Sequence, residues 1–150
     1  MRTIALALVL LPATAFAQFS HLPQNIQAAI EERKKECEET PTFKPKFVAE
    51  KDINGDGVKD YILDYGYFVC GAGYMQFCGT GGCLTQVFAS LDDGSYVLAL
   101  DEQVQMLKFR KVKGRPAMVI GLHGSQCGRG GPDACGMTLY WNGLKFSPAN

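Results

Sequence analysis

Asp52-Ile53-Asn54-Gly55-Asp56-Gly57-Val58-Lys59-Asp60-Tyr61-Ile62-Leu63 places four oxygen-bearing side chains around a glycine-rich reversal and then runs into strand formers. The spacing D-x-N-x-D-G-x-x-D offers side-chain oxygens at loop positions 1, 3, 5 and 9, from Asp52, Asn54, Asp56 and Asp60. The carbonyl at position 7, Val58, adds another. Calcium takes six to eight such oxygens, and a glycine is needed where the chain turns most sharply, here Gly57. An EF-hand would reach a bidentate Glu at position 12 and then a helix, but position 12 is Leu63, and Tyr61-Ile62-Leu63-Asp64-Tyr65 favours a strand. The expectation is a calcium loop between two strands. Asn54-Gly55 and Asp56-Gly57 also suit plain hairpin turns, because both dipeptides tolerate positive φ. That alternative accounts for the glycines alone, since crowded carboxylates repel unless a cation neutralises them.

This segment resembles the loop of FG-GAP and VCBS-type repeats, which carry D-x-N-x-D-G-x-x-D ahead of an apolar strand in integrin-like propellers and in many secreted bacterial proteins. The resemblance implies Ca2+ as a structural ion held by the side chains of Asp52, Asn54, Asp56 and Asp60, to which the spacing adds the Val58 carbonyl. The motif occurs once, whereas a propeller needs several blades of about 40 residues. The loop carries over and the propeller does not.

The N-terminus reads as an export signal over residues 1–17, with Arg2, an apolar run Ile4–Leu11 and the cleavage pattern Ala15-Phe16-Ala17. Residues 18–150 are then one domain, with no membrane anchor after cleavage and a periplasmic or secreted location. Cys37, Cys70, Cys78, Cys83, Cys127 and Cys135 all lie in the exported part, and an even count in an oxidising compartment implies disulfides. Spacing alone does not select their pairing. Joining near neighbours gives Cys78 with Cys83 and Cys127 with Cys135, leaving Cys37 to reach Cys70. Without a C-x-x-C pair, and with two histidines, a zinc site is a poor fit.

Fifteen basic residues balance fifteen acidic ones, so a nucleic-acid partner is not expected. Lys108, Arg110, Lys111, Lys113 and Arg115 alternate with Phe109 and Val112, as on the solvated face of a hairpin.

Leu22 to Glu39 has helical periodicity, with opposite charges three and four apart in Glu31-Glu32-Arg33-Lys34-Lys35-Glu36. After Thr42 the pattern is β: strands over 46–51, 61–68, 84–90, 96–100, 104–111, 117–122 and 137–141, and a type I′ hairpin at Asn142-Gly143. The expected fold class is α+β, one N-terminal helix packed on a curved, mainly antiparallel sheet of about seven strands, stapled by disulfides.

Two glycine-rich segments closed by cysteines, Gly71–Cys83 and Gly124–Gly136, interrupt the strands. Tyr74, Met75 and Phe77 in the first, and Arg129 and Asp133 in the second, are candidates for recognition of an unknown protein or cell-envelope ligand. The alternative is that these aromatics plug the core. His123 and Ser125, two apart, would share a strand face, but no G-x-S-x-G elbow accompanies them. The sequence therefore points to an exported, calcium-stabilised, disulfide-rich binding or structural module. Inhibition of a cell-wall hydrolase such as lysozyme, through the Cys127–Cys135 loop, is one alternative, and a small hydrolase using His123 is another.

Overall fold

The computed structural model describes residues 18–73 and 75–149. The expected leader over 1–17 and the aromatic Tyr74 lie outside the described residues. Helix α1 spans Gln24–Lys34, and Pro23 precedes it with its carbonyl accepting the N–H groups of Ile26 and Gln27 at 3.0 Å each. Proline suits this position because its missing donor would have had no helical partner. The helix is shorter than the periodicity over Leu22–Glu39 suggested. Beyond Lys34 the N–H groups of Lys35, Glu36 and Cys37 bond carbonyls three residues back, at 3.2 Å each, so the chain tightens out of α geometry before Cys37.

Strands β1 (Thr42–Phe43) and β4 (Phe68–Val69) form a small two-stranded ribbon. A five-stranded antiparallel sheet combines β2 (Val48–Lys51), β3 (Asp60–Asp64), β5 (Cys78–Gly79), β6 (Gly82–Ser90) and β7 (Tyr96–Val104), with β6 paired to β3, β5 and β7. A four-stranded sheet follows in the order β11-β10-β9-β8, from β8 (Met106–Val112), β9 (Arg115–Leu122), β10 (Cys135–Trp141) and β11 (Phe146–Pro148).

The α+β expectation of one helix on one sheet is therefore incorrect: the chain is mostly β, with a single α-helix and three sheets among the described residues. The cause lies in β6, which is buried on both faces. Its Phe88 belongs to a core with Leu22, Ile26 and Ile30 of the helical segment, and Phe47, Leu63, Tyr65 and Phe68. Its Val87 and Ala89 belong to a second core with Met118, Ile120, Leu122 and Leu139 of the four-stranded sheet. Strands β8 to β11 thus cover the far face of the central sheet instead of extending its edge, giving helix, sheet and sheet in layers. The chain crosses between them at Gln105, whose N–H bonds Gly121 O at 2.8 Å.

Aromatic packing holds the first core. Phe47, Tyr65, Phe68 and Phe77 meet at ring-centroid distances of 5.1 to 6.0 Å, most of them edge-on. Burial of each such ring contributes about 2–3 kcal/mol and favourable geometry adds about 1 kcal/mol per pair. Phe77 is buried, so this aromatic of the first cysteine-closed segment plugs the core, while Met75 is exposed. All three disulfides follow the near-neighbour pairing: Cys37–Cys70, Cys78–Cys83 and Cys127–Cys135, with Cα separations of 5.5, 4.0 and 6.5 Å.

The β8–β9 turn has positive φ at both Lys113 (51°) and Gly114 (78°), which is the type I′ pattern. At Asn142–Lys145 only Gly143 is positive (φ 99°), so the expected type I′ turn is not formed there. Instead the Asn142 side chain accepts the N–H groups of Leu144 (3.0 Å) and Lys145 (2.9 Å).

Candidate metal centre

The acidic segment forms the link from β2 to β3. Gly55 and Gly57 both adopt φ of 85°, which side chains with a Cβ resist, and they fold the loop back on itself. Asp52 turns its two oxygens to backbone: Oδ1 accepts Gly55 N–H at 2.6 Å and Oδ2 accepts Gly57 N–H at 3.0 Å. Asn54 Oδ1 accepts Asp56 N–H at 3.1 Å, and Asp56 Oδ1 accepts Val58 N–H at 2.7 Å. Val58 itself is 48% exposed.

Asp60 behaves differently. Its side chain is fully buried, 0% exposed, and ties three pieces of chain together. Oδ2 accepts Ile53 N–H at 2.6 Å, and Oδ1 accepts both the N–H of Ser90 at 2.6 Å and its hydroxyl at 2.7 Å. The first residue of β3 is thereby locked to the last residue of β6 and to the loop's own entry.

Ser90 Oγ also lies 2.7 Å from Asp56 Oδ2. A serine hydroxyl has one proton to donate. Two carboxylate oxygens thus face one donor, and whichever is not served meets an oxygen lone pair at hydrogen-bond distance. Asn54 relieves part of this, because its Nδ2 donates to Asp56 Oδ2 at 3.0 Å and to Ser90 O at 2.9 Å. Burial pushes the Asp56 carboxyl up, but hydrogen bonds from Ser90, Val58 N–H and Asn54 outweigh it and hold the group below the usual carboxylate range.

Of the five expected ligands, Asn54, Asp56 and Asp60 gather around Ser90. Asp52 does not join them. Among the described residues no group of three or more His, Cys, Asp or Glu stands together as a metal-holding set. The oxygens that do converge are those of Asp56, Asp60 and Ser90. Ser90 escaped sequence reasoning because it lies 30 residues beyond Asp60, at the end of an apolar strand, with no local pattern to mark it.

No family model, curated protein or solved structure matches this chain. The site is therefore judged on its own chemistry.

The remaining candidates separate clearly. His123 Nδ1 and Ser125 Oγ are 2.8 Å apart, joined across the turn after β9. No carboxylate forms an ion pair with this histidine among the described residues. A Cβ added at Gly131 would lie 2.8 Å from His123 Cε1, so the ring packs against that loop as a spacer. A cleft of about 690 Å³ opens beside β3, β6 and β8, lined by Ile62, Asp64, Tyr67, Thr85, Leu107 and Phe109, and His123 is not among its lining residues. Asp64 is partly buried and accepts Gly66 N–H at 2.9 Å. Asp101 pairs with Arg33 at 3.4 Å. Arg129 and Asp133 are exposed on the loop closed by Cys127–Cys135. Among the described residues no helix is long and apolar enough to cross a membrane.

Proposed function

We propose that this protein is an exported, disulfide-stapled binding module whose acidic loop takes a structural calcium ion between β2 and β3. One observation carries the reading: Asp56 and Asp60 both bring an oxygen within 2.7 Å of a single Ser90 hydroxyl. A divalent cation beside these oxygens would supply the positive charge that one proton cannot share. Asp56, Asp60 and Ser90, with Asn54 adjacent, are the residues that would hold it. The FG-GAP-like spacing supports the same assignment, and three disulfides suit an extracellular or periplasmic setting.

Calcium dissociation constants of extracellular modules run from about 10⁻⁴ to 10⁻³ M. At about 10 mM calcium the linkage relation then gives a stabilisation of about 1.4 to 2.7 kcal/mol. Thermal melts in calcium and in chelator test this. The melting temperature rises with calcium in the native chain and does not rise in Asp56→Ala. Coincident melts in both conditions would remove the metal from the proposal.

A second reading, inhibition of a cell-wall hydrolase, draws on the exposure of Arg129 and Asp133 on a covalently closed loop. A lysozyme assay decides it, and undiminished hydrolysis at micromolar protein eliminates it.

A further inference from the structure

The even charge balance of the chain conceals a strong division. Beyond Val104 stand seven of the fifteen basic residues and a single acidic one, Asp133. The four strands of the second sheet contain no Asp or Glu at all.

Topology concentrates this charge at one end. The antiparallel pairings of Val112 with Arg115, and of Trp141 with Phe146, put the β8–β9 and β10–β11 hairpin tips at the same end of the sheet. Lys111, Lys113 and Arg115 belong to the first tip and Lys145 to the second, all exposed. None of them forms a salt bridge among the described residues. Arg115 lies 5.0 Å over the ring of Tyr140, which fixes its guanidinium at the tip. Between the cations, Leu144 is 68% exposed, more than any other large hydrophobic side chain among the described residues. It is held outward because the Asn142 side chain bonds its N–H and that of Lys145, so the protrusion is built into the loop. Trp141 stands at the base of the same tip. Asp52 of the acidic loop reaches this end, in a cleft of about 240 Å³ shared with Lys51, Arg110, Lys111, Phe109 and Pro116.

We infer that the paired hairpin tips dock the protein peripherally on an anionic lipid bilayer, with Lys111, Lys113, Arg115 and Lys145 among the headgroups and Leu144 entering the interface. Charge complementarity names an anionic partner, and the fixed protruding leucine beside Trp141 and Tyr140 favours a lipid surface over a soluble polyanion. Aromatic and aliphatic side chains ringed by lysine and arginine are the composition that interfacial docking uses. Each cation near such a surface strengthens binding roughly fivefold at low salt, and the gain fades as ions screen it. This inference does not require calcium at the acidic loop.

Vesicle co-sedimentation tests it, using the oxidised chain from Gln18 onward. That chain contains both cores and all three disulfides and lacks the apolar run Ile4–Leu11, which would bind lipid by itself. Binding is expected to vesicles of phosphatidylglycerol mixed with phosphatidylcholine and not to phosphatidylcholine alone. Lys111→Gln with Lys145→Gln, one change on each tip, is expected to weaken binding about 25-fold. Leu144→Ser is expected to weaken it about tenfold, with melting temperature unchanged in both variants. The inference fails if the anionic vesicles are not bound, or if phosphatidylcholine is bound equally well. It fails also if the double variant binds like the native chain. Unchanged binding by Leu144→Ser, with competition by soluble inorganic polyphosphate as effective as by vesicles, would replace the bilayer with a polyanion and overturn it.

Discussion

Replacing Asp60 by alanine should be the most damaging change in the acidic segment, and the loss can be worked from its contacts. The carboxylate is 0% exposed and serves Ile53 N–H at 2.6 Å, Ser90 N–H at 2.6 Å and the Ser90 hydroxyl at 2.7 Å. Without it the hydroxyl still has Asp56, but two backbone donors at buried residues lose their acceptor. Each such donor costs about 1–3 kcal/mol. Relief of the carboxylate's own burial offsets part of this, so the net loss is about 2–5 kcal/mol. Against a total stability of about 5–15 kcal/mol, that is a large share. Urea unfolding in excess chelator isolates the effect from any bound metal, and the midpoint should fall without a change in slope. Asp60→Asn makes a stringent companion, since its single oxygen serves one N–H while its amide group faces the other donor. It should lose at least half as much. A loss below about 1 kcal/mol for Asp60→Ala would refute the view that this side chain ties β3, β6 and the loop together.

Other perturbations probe separate links. Because Asp56 is held below its ordinary range by hydrogen bonds in the folded chain, it contributes stability above the unfolded carboxylate value of about 4. That contribution is lost as pH falls through the folded value, so Asp56→Asn should flatten the acid limb of a stability profile measured in chelator. Removing the Cys37–Cys70 bridge, with its sequence separation of 33, by Cys37→Ala and Cys70→Ala should cost about 3–4 kcal/mol in denaturant unfolding. Gly82→Ala should prevent recovery of folded protein, as judged by circular dichroism. Gly82 has φ of 97°, and a Cβ there would collide with the Val104 carbonyl across the β6–β7 pairing. Gly57→Ala has open space around its Cβ and should lose only the strain of φ 85°, about 1 kcal/mol.

The amino-acid sequence alone determined the local features of this protein: the glycine-driven acidic reversal, the helix ahead of Pro41, the central strand runs and the places of the turns, though not the turn type at Asn142-Gly143. These depend on residues a few positions apart, whose propensities and periodicities act within one element. The cysteine pairing was not settled by spacing, which leaves several connectivities open; the structure selects the near-neighbour set. The two-residue strands β1, β4 and β5 were not legible, being too short to show a period. Only the tertiary structure decided that the strands divide into three sheets, since a strand apolar on both faces looks the same whether its second face meets a helix or another sheet. It likewise decided which oxygens meet at the acidic loop. Asp52 has the right spacing to join them but is satisfied by its own backbone, while Ser90, 30 residues away from Asp60, arrives through strand pairing that no local pattern encodes.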